Sequence, residues 1–187
     1  ATDELPAPNH PKDDSFGTRH IQFSREIFIE RDDFLEDPPK KFFRLSPGRE
    51  VRLRYAYLVT CTRVEHDAST GEISTVYCRY DPESRGGNAP DGRKVKGTIH
   101  WVSAKFGIRA EIRLYDRLFS VPNPGAEDDY LAHINPDSME VVSEAVIEPS
   151  LANAKTENRY QFERLGYFCS DAQNHRPNSP VFNRVVT

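Results

Sequence analysis

No apolar run in the sequence approaches the roughly 20 residues that a membrane-spanning helix requires, which excludes a helical integral membrane protein. The N-terminal stretch from Ala1 to Pro11 is polar and rich in proline, and it lacks the basic flank and apolar core of a secretory leader. A soluble, unexported, cytoplasmic protein is expected. Cysteine is scarce: Cys61, Cys78 and Cys169 contain no CxxC pair, and three thiols make a poor disulfide framework. Reduced thiols are the expectation. The six histidines are scattered without HxxxH or HxH spacing, so no metal site is expected. No glycine-rich phosphate-cradling loop precedes a helix, since Gly86-Gly87 opens onto Asn88-Ala89-Pro90. Cys169 has no basic activator nearby in sequence, and acidic pairs such as Asp32-Asp33 and Asp128-Asp129 sit in loop-like contexts, so no catalytic residue is expected. The formal net charge of -4 argues against a whole surface that grips nucleic acid, because such binding draws its affinity from neutralised phosphates. Any nucleic-acid function must sit in a local patch.

What the sequence does contain is aromatic residues, 11 Phe and 8 Tyr among 187 residues, together with frequent Pro, Gly, Asn and Asp punctuation. Both favour many short strands over helices. The alternation predicts strands at Arg19 to Ile29, Phe42 to Leu45, Glu50 to Val64, Glu72 to Tyr80, Lys94 to Ser103, Ile108 to Leu118, Met139 to Val146, Tyr160 to Glu163, Tyr167 to Ser170 and Val181 to Val186. Ten strands suit two small β-barrels better than one. The clearest hairpin turns at His66 to Gly71, which sets Cys61 opposite Cys78; two small buried thiols are expected there. Short helical connectors are expected at Glu127 to His133 and Pro149 to Ala154. The most breaker-dense stretch, Asp81 to Gly92, places the domain junction just after it, near Gly97, giving domains 1–97, with an N-terminal extension, and 98–187.

One strand stands out for function. In Glu50 to Tyr57, Val51, Leu53, Tyr55 and Tyr57 alternate with Arg52, Arg54 and Ala56, so one face packs a core and the other presents two guanidiniums. Side chains two apart on a strand lie roughly 7 Å from each other, close to a phosphate repeat. Such arginines can clasp phosphate or a base edge, or can face solvent beside acidic partners. Lys40, Lys41, Phe42, Phe43 and Arg44 interleave basic and aromatic residues, a composition suited to unstacked bases. Arg93-Lys94-Val95-Lys96 adds a second basic run, and Gln161 stands on the side of its strand opposite Tyr160 and Phe162.

Longer stretches carry a resemblance that runs nearly from end to end. Pro8 to Pro11, Gly48 to Arg54, Asp91 to Ala104, Glu111 to Phe119 and Gln161 to Cys169 resemble the C-terminal anticodon-binding region of bacterial glutaminyl-tRNA synthetases. A eukaryotic-type glutamyl-tRNA synthetase carries a similar region and stays as the alternative, as does a structural RNA-binding barrel that reads no anticodon. The resemblance implies two tandem β-barrels like ribosomal protein L25, with strands that interleave between them, and a tRNA(Gln) anticodon loop held by both. It implies that class I catalysis with ATP and magnesium belongs to an N-terminal catalytic domain preceding residue 1, and that the protein is a monomer. Matched by motif, Arg44 corresponds to an arginine that reads the third anticodon base, Arg52 and Arg54 to arginines at the pocket for the first, and Gln161 and Arg164 to residues around the middle uridine. Lys40 and Lys41 fall at the basic entry. Phe43 departs from the pattern, which has lysine there.

Overall fold

In the computed structural model, which describes residues 2–186, the N-terminal extension is a strand, Thr2–Pro8 (β1), paired antiparallel with Thr18–Ser24 (β2). Two prolines would ordinarily argue against a strand. Here Pro6 and Pro8 are spaced by two, so their missing N–H groups fall on the same, unpaired edge, while Leu5 and Ala7 point inward and are fully buried.

The first unit continues with Ile27–Phe28 (β3), Glu50–Leu53 (β4), Leu58–His66 (β5), Ile73–Asp81 (β6), Thr98–Ile99 (β7) and Val102–Ser103 (β8). The order β6-β5-β4-β7 makes a four-stranded sheet in which only β4 and β7 are parallel, and β3 pairs with β8. The hairpin between β5 and β6 turns as expected: Asp67 Oδ1 accepts from the Ser69 and Thr70 amides at 2.8 and 3.0 Å, and Gly71 takes φ 73°. Cys61 and Cys78 face each other in register as free thiols, Cys61 buried and Cys78 exposed, so the pair is not the two buried thiols expected. Burial falls away along β5, whose first half supplies Leu58, Val59 and Cys61 to the core while its second half is largely exposed.

The second unit contains Ile108–Tyr115 (β9), Met139–Ile147 (β10), Tyr160–Phe162 (β11), Gly166–Ser170 (β12) and Val181–Val186 (β13), in the order β10-β9-β13-β12-β11 with β9 and β13 parallel. Its core is small and aromatic: Phe162 stacks on Phe168 at 4.3 Å and meets Phe182 at 5.5 Å, over Ala110, Ile112 and Ile147. The connectors Tyr130–His133 and Pro149–Asn153 are single 3-10 turns.

The fold is all-β, and its hydrogen-bonded ladders form four sheets. The chain divides into two compact units between Phe106 and Gly107, nine residues beyond the domain junction expected near Gly97. Residues 98–106 stay with the first unit because β7 joins β4, β8 joins β3, and Ser24 Oγ meets Ser103 Oγ at 2.6 Å in the interior. Phe42 to Leu45 is no strand; only Leu45 makes an isolated bridge, to Phe34. The strand expected from Glu50 to Val64 is broken after Leu53, where the chain reverses with Leu53 N–H donating to Tyr57 O at 2.8 Å and Ala56 N–H to Leu53 O at 2.9 Å.

Candidate nucleic-acid interface

β4 lays down the centre of the candidate site in the first unit. Val51 and Leu53 point into the core, each burial contributing about 1.5–3 kcal/mol, and this anchors the opposite face that carries Arg52. The amides of Arg52 and Arg54 both donate along one edge, to Gly97 O at 2.8 Å and Ile99 O at 3.0 Å, so the alternation persists through Arg54 although the strand has ended. Tyr55 then adopts φ 60°, a left-handed conformation that costs an aromatic residue strain. The turn is pinned from outside by Trp101, whose Nε1 donates to Arg54 O at 2.9 Å. The Arg54 guanidinium lies 5.6 Å from the Tyr55 ring centroid.

Arg52 is oriented by the protein before any ligand arrives. Its Nε donates to Gly87 O and its Nη1 to Thr98 Oγ1 at 3.2 Å. A guanidinium has five N–H donors, so these two bonds fix its plane and leave an edge for an outside acceptor. Gly87 has φ 91°, and a Cβ there would lie 2.9 Å from Arg52 Cδ, so only glycine permits the approach.

The segment before β4 holds the other basic residues. Lys40 and Lys41 occupy the exposed corners of a turn closed by Phe42 N–H to Pro39 O at 3.0 Å. Arg44 is drawn back by Asp32 and Asp33, its Nη1 donating to Asp32 O at 2.9 Å and its Nε lying 3.4 Å from Asp33 Oδ1. Asp33 is 1% exposed, a buried carboxylate that orients the half-exposed arginine. Phe43, 51% exposed, has Lys96 Nζ 5.5 Å from its ring centroid and borders a cleft of about 270 Å³ lined also by Arg49, Glu50, Val51, Lys94, Val95 and Gly97. The cleft's lining residues include three cations and one carboxylate. Gly97 is again obligatory, because a Cβ would sit 2.4 Å from Phe43 O. Arg49 was missed from sequence, and Lys94 and Lys96 were legible only as a basic run; what joins them to Phe43 is the parallel pairing of the chain near Gly97 with β4.

In the second unit Gln161 is exposed on β11, directly opposite Tyr167 on β12. Arg164 forms the tip of the connecting turn, closed by Leu165 N–H to Phe162 O at 2.9 Å, and has φ 63°. Among the described residues, Tyr55 and Arg164 are the non-glycine positions with positive φ, and each lies within a segment singled out for reading bases. The structure thus gathers Arg52 and Arg54 at the end of β4 and Gln161 and Arg164 on one hairpin, with Lys40, Lys41 and Arg44 on a separate loop.

Comparisons with known proteins agree in kind with this layout. Residues 1–81 and 98–171 match two families, each described as an anticodon-binding domain of class I tRNA synthetases (E and Q). The chain is 56% identical over 185 residues to a glutamine–tRNA ligase of Nitrobacter hamburgensis, covering 99% of this chain and 32% of that protein. Against the glutamine–tRNA ligases of Vibrio parahaemolyticus and Haemophilus influenzae the identities are 54% over 186 residues and 55% over 183, covering 100% and 98% of this chain. The chain spans about a third of the length of these curated relatives.

Proposed function

The chain belongs to the anticodon-binding region of the class I tRNA synthetases of the E and Q type, and from that premise we propose that it reads the anticodon of glutamine tRNA for a glutamine–tRNA ligase. The observation that carries the glutamine assignment is the identity of about 55% along the whole chain to proteins of that name. Activation of glutamine with ATP and magnesium is assigned to the part of the ligase that these residues do not span, and the whole protein is taken to act as a cytoplasmic monomer.

The chemistry of the site supports the reading. Proteins read RNA sequence in single-stranded loops, where base edges and faces are free. Arg52, held by Gly87 and Thr98, offers a preset pair of donors to the acceptors of a base edge or a phosphate. Arg54 stands one ladder position further on, and Lys40 and Lys41 add cationic charge at an exposed turn. Arg44 contributes from a guanidinium already oriented by Asp33. In the second unit an exposed amide, Gln161, can meet the mixed donor and acceptor edge of a uridine, with Arg164 beside it on the turn.

Arg52→Ala or Gln161→Ala in the intact protein is expected to lower kcat/KM for glutamine tRNA by about 10- to 100-fold, the loss expected for one base-reading contact. Preference for glutamine tRNA over the same tRNA with a swapped anticodon should shrink in parallel. The measurement is aminoacylation kinetics with both transcripts. A preference ratio unchanged by both substitutions would overturn the assignment.

A further inference from the structure

We infer that residues 85–97 of the first unit form a strap, fastened at two points by arginines, whose role is to hold the Arg52 guanidinium in its reading orientation; Arg85 and Arg93 are positioning residues. The inference rests on the proposal that Arg52 meets the anticodon.

By composition this segment should be loose. It contains Gly86, Gly87, Asn88, Pro90, Gly92 and Gly97, includes no strand, and before its last residue closes local turns such as Gly92 N–H to Ala89 O at 3.0 Å. Two ion-pair clusters hold it instead. Arg85 makes a fork onto Asp3 of β1, Nε to Oδ2 at 2.9 Å and Nη2 to Oδ1 at 3.2 Å, and Nη2 also donates to Glu4 O at 2.7 Å. The Tyr57 hydroxyl donates to the same Asp3 Oδ2 at 2.6 Å, tying that fastening to the core. Arg93 makes a second fork, onto Glu50 of β4, with Nε and Nη2 each 2.9 Å from a carboxylate oxygen. Its Nη2 reaches Asp81 at the end of β6 at 2.6 Å, and its Nη1 reaches Asp91 at 2.9 Å. The guanidinium hydrogen bonds hold the Asp3 and Asp81 carboxyls below their ordinary range, and at Asp91 the Arg93 backbone amide and then its side chain do the same.

Between and just beyond the fastenings lie the groups that grip Arg52. Gly87 O accepts from its Nε, Gly97 O from its amide at 2.8 Å, and Thr98 Oγ1 from its Nη1 at 3.2 Å. Glu50, which Arg93 holds, is two residues from Arg52 on the same face of β4. Isolated exposed ion pairs do little for stability. A forked guanidinium shared by three carboxylates on a glycine-rich segment has a different consequence: it fixes a position.

The test uses the intact protein with Arg93→Ala, Arg93→Lys, Gly87→Ala and Arg52→Ala, plus the Arg52→Ala/Arg93→Ala pair. Arg93→Ala is expected to cost about 10-fold in kcat/KM for glutamine tRNA, through KM, and to weaken discrimination at the same anticodon position as Arg52→Ala. Lysine cannot make the fork, so Arg93→Lys should behave as the alanine variant, and Gly87→Ala should do likewise by displacing Arg52. The double variant should be no worse than Arg52→Ala alone, because positioning has no effect once its target is gone. Losses that add, or that spread evenly over all three anticodon positions, would overturn the strap. A second readout is the hydrogen exchange of the Arg52 Nε–H, slow in the parent protein and fast in Arg93→Ala; unchanged exchange also overturns the inference. If Arg52→Ala leaves tRNA use intact while that exchange still accelerates in Arg93→Ala, the anticodon role of Arg52 fails and the strap stands.

Discussion

Two arginines of the first unit show how differently one residue type can be prepared for a ligand. Arg52 is oriented by a carbonyl and a hydroxyl, neutral acceptors that leave its charge unmatched. Arg44 is oriented by a carboxylate that is almost fully buried, so part of its field is already spent within the protein. A base or phosphate should therefore gain more from Arg52 per bond formed. Asp67 shows the same economy on the anionic side. Its carboxylate accepts from the Ser69 hydroxyl and from the Thr70 and Ser69 amides, which lowers its pKa from the ordinary 3.8 to about 2. A depressed carboxylate contributes stability that is present above the unfolded value and is lost as pH falls through the folded one. The β5–β6 turn is thus expected to keep its geometry down to about pH 4 and to loosen between there and about 2. Carboxyl titration by NMR should find Asp67 among the last carboxylates to protonate, and a midpoint near 4 would contradict the turn geometry.

At the scale of elements, the β11–β12 hairpin sets local strain against use. Arg164 sits at φ 63°, where an L residue gives up roughly 1–2 kcal/mol relative to glycine, offset in part by the about 0.5–1 kcal/mol that glycine loses in backbone entropy on folding. Arg164→Gly is therefore expected to raise stability by about 0.5–1 kcal/mol in thermal or denaturant unfolding while weakening discrimination at the middle anticodon base. A variant that loses both, or neither, would show that the conformation serves only the fold. Several elements were legible in the sequence for plain reasons: the β5–β6 turn carries its own Asp, Ser and Gly signals, and β9 and β11 alternate clearly. Others were hidden by equally plain ones. Val51, Leu53, Tyr55 and Tyr57 keep their alternation straight through a reversal, and the left-handed position is filled by a tyrosine instead of glycine or asparagine, so nothing marks the break after β4. β1 was obscured by prolines that do no harm on an open edge. Arg52, Arg54 and Gln161 stood out as outward-facing positions, but their role came only from resemblance to a family. The ion pairs that fasten the breaker-rich stretch before Gly97 leave no mark in composition, because they join residues 82 and 43 positions apart.

For the molecule as a whole, a net charge of -4 coexists with a cleft lined by Arg49, Lys94 and Lys96, with Glu50 its one carboxylate. Binding that neutralises only a few phosphates, about three to five, should give a slope of log K against log salt of roughly -2 to -3.5 for single-stranded RNA. Titration of a glutamine tRNA anticodon stem-loop over 50–200 mM salt checks this, and a slope near -8 would mean a far larger cationic surface than the local patches described. The spacing of Pro6 and Pro8 has a last consequence at this scale. A two-stranded sheet ends in a row of backbone groups on which another chain could polymerise. On β1 that row has two nitrogens that cannot donate and two carbonyls, Glu4 O and Pro8 O, already taken by Arg85 and Arg19. Along that edge β1 therefore offers few free backbone groups on which another strand could pair.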